Sequence, residues 1–324
     1  TAPAGMTSIH WEDLAAVTAL GMRHLADKVG DQPVHIIGYS TGAALALDYA
    51  MEASPDQQAT SLILISPAIG IHPTAALASW KRRFSALPGM KDMAWLQLEE
   101  EFDPYKYNSF ATNAAEQVHR LTRSVGDRAH QRSLNTEGLA LPPTLVFKST
   151  VDATVSNDAL LDRLLLKLAP GDHELVLFDI NRFAPTKSLM IQDPGPFTDR
   201  LVGNRKLPFS LSLVSNGENE SRGVSVFYKP PFTRNITNTE RLDLEWPTNV
   251  LSLSHVALPF PPDDPLYGRF PPEDKSRLFL GDLPLRGERD LLAISGDFLL
   301  RLRHNPFYEY LEKRTSEWVA GNKP

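Results

Sequence analysis

The sequence predicts an α/β fold: a mostly parallel sheet with flanking helices, a helical cap insertion and a later β-hairpin insertion. Strand-length apolar runs recur at residues 34–38, 61–65, 143–147 and 174–178, as buried parallel strands require. Helix-compatible stretches separate most of them, the alternation that marks βαβ units. After Ile180 the rhythm changes to short alternating runs divided by Asn216-Gly217, the pattern of an antiparallel hairpin.

Taken in order, residues 1–8 read as a loop running into a helix over 9–29. There Leu14, Val17, Gly21, Leu25 and Val29 recur at helical spacing, and Glu12 and Asp13 sit early, where the helix dipole favours acids. Gly30-Asp31-Gln32-Pro33 breaks this helix, and Val34-His35-Ile36-Ile37-Gly38 follows as a strand. Gly42, Ala43, Ala44 and Ala46, with Leu45 and Leu47, open the next helix, and the strand at 61–65 ends at Ser66-Pro67. From about 70 to 135 the strand pattern stops, and the segment reads as a helical cap carrying Trp80, Phe84, Met90, Met93, Trp95, Leu96, Phe102, Tyr105, Tyr107 and Phe110. A strand at 143–147, a helix over 156–168 and a strand at 174–178 resume the rhythm. Residues 181–248 read as a second insertion, with hairpin strands at 209–214 and 224–228. Proline clusters imply extended loops, and residues 297–320 close the chain as a helix. The core is thus expected in 1–69, 136–180 and 249–324.

Composition narrows the function. The 324 residues are 42% hydrophobic and 22% charged, values of a folded globular chain rather than a disordered one. Lys and Arg number 33 against 39 Asp and Glu, a net charge of −6, which argues against nucleic acid as the main partner. No run reaches the 18 or so apolar residues of a membrane-spanning helix. The absence of cysteine excludes disulfides, thiolate metal sites and Cys nucleophiles, and leaves the compartment open. His10, His24 and His35 lack the H-E-x-x-H spacing of a metal hydrolase, so no metal or other cofactor is expected.

The chemistry resides in Gly38-Tyr39-Ser40-Thr41-Gly42. A G-x-S-x-G match arises by chance roughly 0.1 times in a chain this long, taking ~7% for each residue type. Its weight therefore comes from context: a strand precedes it and a small-residue helix follows, the setting of a nucleophile elbow. The turn is expected to crowd the positions two before and two after the serine, which Gly38 and Gly42 would relieve by lacking side chains. It would lift the Ser40 hydroxyl out at the N-terminus of the helix.

On these residues the sequence resembles the α/β-hydrolase family of serine hydrolases, in particular its esterase and monoacylglycerol-lipase or lysophospholipase branch. The resemblance covers most of 9–180 and a stretch around 250–268. It implies a nucleophile, acid and base in that chain order. Asp152, in Ser149-Thr150-Val151-Asp152-Ala153, directly follows a strand and matches the family's acid-bearing loop. Asp179, ending the next strand, is the rival; otherwise it is a strand-end residue bonding nearby backbone. Asp158 reads as an acid in the first turn of a helix. For the base, His255 ends an apolar-alternating run and follows both other groups, whereas His173 precedes its strand and His304 falls in the closing helix, so both read as surface residues.

The resemblance further implies that Thr41 N–H is one oxyanion donor, with a second from a loop after the family's third strand, outside these residues. Several strands precede the first helix in relatives, so the chain is expected to be the C-terminal part of a longer hydrolase. Its N-terminal fragment is then an expected partner for the 34–38 strand, whose edge would otherwise lie open. The implied substrate is a small, lipophilic carboxylic ester; the aromatic and Met-rich segment at 70–110 reads as the packed core of the cap itself or as a lid over a lipophilic acyl pocket. Arg82 and Arg83 read as surface residues or contacts for a charged head group, and Glu99-Glu100-Glu101 as a solvated helix face. An acyltransferase or thioesterase with the same triad, and a non-catalytic hydrolase-fold interaction module, are the alternative readings.

Overall fold

A computed structural model describes residues 3–70, 94–99, 101–135, 137–183, 190, 193–217, 221–274, 276–283 and 300–321. The chain divides into two compact units, the first made of Thr1–Thr60, Pro67–Pro142 and Thr154–Ala169, the second of Ser61–Ser66, Pro143–Ala153 and Pro170–Pro324.

The first unit opens with a 3-10 turn, Pro3–Thr7, where a loop is predicted, and continues into α1, Trp11–Val29. The helix is present but its phase differs from the prediction. Val17 and Leu25 of the predicted inner stripe are 66% and 43% exposed, whereas Met22 is buried and Trp11, Leu14, Ala15, Thr18 and Ala19 are half-buried. With alanines on both faces, hydropathy fixes the period of this helix and leaves its phase open. Strand β1, His35–Tyr39, leads into α2, Thr41–Glu52, whose small residues Ala43, Ala44 and Ala46 are all buried.

Among the described residues of 70–135, the expected helix is found in the C-terminal part. Residues 95–97 (β3) and 110–111 (β4) form an antiparallel ribbon, and α3, Thr112–Asn135, follows. The acidic run is not a helix face: Glu99 and Glu101 lie in the ribbon's loop, where the Glu101 carboxylate accepts from the N–H groups of Asn108 and Ser109 at 2.8 and 2.9 Å. Trp80, Phe84, Met90, Met93, Arg82, Arg83 and Glu100 lie outside the described residues. Arg128 on α3 ties this helix to α2 by ion pairs with Asp48 and with Glu52, the latter at 2.7 Å. The predicted helix over 156–168 is two pieces, α4 (Asn157–Arg163) and a 3-10 turn at Leu165–Lys167. Ser156 caps α4 by accepting from Ala159 N–H, and Asp158 sits in its first turn as expected.

The second unit holds β2 (Ser61–Ile65), β5 (Thr144–Ser149), β6 (His173–Phe178), β7 (Ser210–Ser215), β8 (Gly223–Lys229) and β9 (Asn238–Glu245), side by side in that order. The first four are mutually parallel and buried along their whole length, and β8 and β9 are antiparallel additions. The expected hairpin is β7–β8. Its first strand also pairs with β6, and β9 extends it with an exposed outer strand rich in charge, which discourages edge-to-edge association. Helix α5, Gly195–Gly203, is capped from β8: buried Lys229 donates to the carbonyls of Leu201 and Asn204 at 3.1 and 2.7 Å. The closing helix α6 spans Tyr308–Val319, shorter than predicted, because residues 301–307 run irregularly; residues 284–299 lie outside those described. Phe147, Phe178, Phe307 and Trp246 stack or meet edge-on in series through this core, with ring centroids 6.5, 6.2 and 4.8 Å apart.

One buried ion pair fastens α6. Arg314 donates to Glu174 of β6 at 2.6 Å, and Ser212 of β7 donates to the same carboxylate at 2.7 Å, with both charged side chains almost fully buried. Removing one partner strands the other charge in a low-dielectric interior. Arg314→Met should therefore destabilise the protein by about 3–5 kcal/mol, read as a lowered urea midpoint. An unshifted midpoint would mean that Glu174 is not held by this pair.

Candidate active site

A single residue, Ser40, separates β1 from α2. Its backbone adopts φ 52° and ψ −114°, a conformation that costs a non-glycine residue about 1–3 kcal/mol. The surrounding backbone holds it there: the Ser40 carbonyl accepts from Ala43, Ala44 and Ala68 N–H groups at 3.1, 3.3 and 3.1 Å. Thr41 is the first residue of α2, and its N–H precedes the first intrahelical bond, at the positive end of the helix dipole. The geometry separates the roles of the two motif glycines. A Cβ at Gly38 would meet the Gly42 carbonyl and Ala43 Cα at 2.7 Å, so only glycine fits. Gly42 corrects the sequence reading. It faces solvent on the first turn of α2, and a Cβ there meets no atom within 4 Å among the described residues.

In the second unit, Asp152 lies in the loop beyond the carboxyl end of β5, where open α/β sheets carry functional groups. His255 opens a 3-10 turn, His255–Ala257, rather than ending a strand. Side-chain and main-chain bonds from the neighbouring strand ends hold the approach to that turn. Ser149 Oγ donates to the Leu253 carbonyl at 3.0 Å, Asn181 N–H to that of Leu251 at 2.8 Å, and Asn181 Nδ2 to that of Val250 at 3.1 Å. The result is a bond of 2.8 Å between His255 Nδ1 and Asp152 Oδ2, with side-chain exposures of 4% and 0%. An ionised carboxylate only accepts, so Nδ1 carries the proton and Nε2 is left as the basic nitrogen.

A residue that the sequence reading passed over completes this cluster. Lys148, the penultimate residue of β5, is buried and its ammonium binds the same Asp152 Oδ2. Burial by itself raises the Asp152 carboxyl. The hydrogen bond from His255 and the charge of Lys148 outweigh it and hold the carboxyl well below the usual range. Burial likewise pushes the Lys148 ammonium down, opposed by Asp152. The available signal was a lysine interrupting an otherwise apolar strand, four residues before an aspartate.

The rival groups are engaged elsewhere. Asp179 is buried in a bidentate pair with Arg182, at 2.8 and 2.9 Å, and accepts from Ser215 Oγ, a side-chain partnership rather than the backbone one expected. His173 and His304 are not surface residues: they are 4% and 2% exposed, His173 at the start of β6 and His304 ahead of α6. Among the described residues no group of three or more His, Asp or Glu side chains is arranged to hold a metal ion, and no helix is long and apolar enough to cross a membrane.

Residues 6–180, more than half the chain, match the hydrolase family described as serine aminopeptidase, S33. The chain belongs to this family of α/β hydrolases. The matched stretch contains Ser40 and Asp152, and His255 lies beyond it. Comparison with curated proteins returned no match. Among solved structures, this hydrolase is similar to a soluble variant of monoglyceride lipase from Saccharomyces cerevisiae bound to a substrate analogue, at 15% identity and TM-score 0.38, over 52% of this chain and 59% of that one. A monoacylglycerol lipase from Paleococcus ferrophilus gives 16% identity and TM-score 0.38 over 53% and 66%. The esterase domain of a Rhodothermus marinus protein gives 17% and 0.30 over 53% and 59%. The chain thus spans less than two thirds of the length of these three chains.

The two motif glycines should respond oppositely to alanine. Gly38→Ala forces backbone apart and should lower the thermal midpoint by several degrees, whereas Gly42→Ala, on an exposed helical turn, should be neutral or gain up to about 1 kcal/mol. Equal losses from both would contradict the steric assignment.

Proposed function

We propose that this hydrolase cleaves carboxylic esters, with Ser40 as nucleophile, His255 as general base and Asp152 as the acid that orients the base. The observation that carries the reading is the buried His255–Asp152 bond, which orients the ring with Nδ1 on the carboxylate and assigns Nε2 as the proton acceptor. The strained turn at Ser40 supports it, since such conformations persist where function requires them. In the proposed reaction His255 Nε2 takes the Ser40 hydroxyl proton as Oγ attacks the ester carbonyl. The tetrahedral oxyanion accepts from Thr41 N–H, the alcohol leaves with the proton from His255, and an acyl-serine remains. Water then repeats the sequence, releasing the acid and restoring Ser40. Asp152 stabilises the imidazolium at each transfer without itself becoming protonated.

A small lipophilic ester is the proposed substrate. Apolar side chains exposed around the β3–β4 ribbon support this, with Leu98, Tyr105 and Phe110 at 72%, 54% and 45% exposure. The family's description favours a second reading, hydrolysis of an N-terminal amide by the same groups. Fluorophosphonate labelling followed by intact mass should give one adduct per chain, lost in Ser40→Ala. p-Nitrophenyl esters should turn over faster than aminoacyl p-nitroanilides; the reverse order would select the amide reading. Asp152→Asn should lower kcat by about 10⁴-fold. A well-folded protein that forms no adduct would be a non-catalytic module of this fold.

A further inference from the structure

We infer that Lys148 is a positioning residue for the proposed base: by sharing Asp152 Oδ2 with His255 Nδ1, it fixes the carboxylate that orients the imidazole and divides its charge between two donors. The inference rests on the hydrolase reading above and adds to it a cation that the Ser, His and Asp roles do not include.

Three facts lead to it. Both donors address one oxygen, Oδ2, so the ammonium and the imidazole lie no more than two hydrogen-bond lengths apart, about 6 Å. All three side chains are buried, at 1%, 0% and 4% exposure for Lys148, Asp152 and His255, so water screens their interaction little. And Lys148 stands on the rigid strand β5 rather than on the loop, which lets it pin a loop carboxylate from below.

The described charged groups on the strands and helix beside β5 have partners of their own. β2, on one side of β5, contains no titratable residue. On the other side, β6 carries His173 at its far end and Glu174, bound to Arg314, and is followed by Asp179, bound to Arg182. From α6, which packs on β5, the buried titratable groups are Tyr310 and Arg314, and Arg314 is the partner of Glu174. Among the described residues, His255 and Lys148 act on Asp152, and Asp152 acts on Lys148.

The sign follows from charge. A cation beside the Asp152–His255 pair opposes formation of the imidazolium. Replacing it with the neutral, similarly long methionine removes that opposition. In Lys148→Met, the acid limb of the kcat/KM profile for a p-nitrophenyl ester should move up by about one pH unit. The His255 Nδ1–H proton resonance should also move downfield, because Oδ2 then loses a competing donor. An unmoved limb together with an unmoved resonance, in a folded variant, overturns the inference. A second measurement needs no variant: ¹⁵N NMR of lysine side chains in the wild-type protein should show Lys148 as an ammonium at pH 7, and a neutral amine there overturns it equally. If wild-type Ser40 fails to react with the fluorophosphonate, the hydrolase reading falls, and the two NMR measurements still decide whether Lys148 shares the carboxylate as a cation.

Discussion

Asp152 carries a negative charge with no exposure to solvent, and several kcal/mol of desolvation must be offset locally for such a group to stay ionised. Two donors on one oxygen supply that offset, Lys148 from the strand below and His255 from a turn distant in sequence. Much of the second unit's local architecture bears on keeping this arrangement in register. β5 must end where it does to place Ser149 and Asp152. β6 must end alongside it so that Asn181 reaches the 250–251 backbone. Ser149 spends its hydroxyl on Leu253, two residues before the histidine. A shift of one residue in the β5–β6 pairing would turn every side chain of a strand to the opposite face and separate these groups.

The same answer to the same problem recurs in the unit. Glu174 is an ionised group inside the sheet layer, met by Arg314 and Ser212, and Lys229 is a buried cation met by two carbonyls at the end of α5. Each ties a helix to the sheet through a directional bond in a place where apolar contact alone would permit several packings. Breaking such a contact is costly, because it leaves a buried charge uncompensated.

The strands at 61–65, 144–149 and 173–178 were legible because burial on both faces leaves a short apolar stretch in each, and the tight turn at Ser40 because steric demand at Gly38 leaves a mark in the sequence. The phase of α1 was not legible, since alanines on both faces let the helix rotate without a hydropathic signal. The ribbon at 95–97 and 110–111 was hidden for another reason: its aromatic residues suit a helix or a strand equally at that length. Asp152 and His255 were reached through the resemblance rather than through local pattern. Lys148 escaped because its meaning lies in a burial that composition cannot show. A lysine closing an apolar run reads as a solvated strand end until the neighbouring carboxylate is seen to share its pocket.

Ser40 presents the opposite physical case to Asp152. There the constraint is conformational rather than electrostatic: an L-residue held at positive φ, with its carbonyl fixed by three N–H donors so that the strain cannot relax by rotating the peptide. Its cost is returned by α2, whose small buried residues let the helix start immediately after the strand, with no intervening loop. A longer connection would relieve the strain but would also free the hydroxyl to adopt many positions. In the proposed reaction the nucleophile depends on a single approach to its target, and a one-residue turn between a strand and a helix leaves the Ser40 side chain few alternatives. The two units thus solve complementary problems. One holds a hydroxyl in a defined place, and the other holds a buried charge against a histidine so that the ring presents its basic nitrogen.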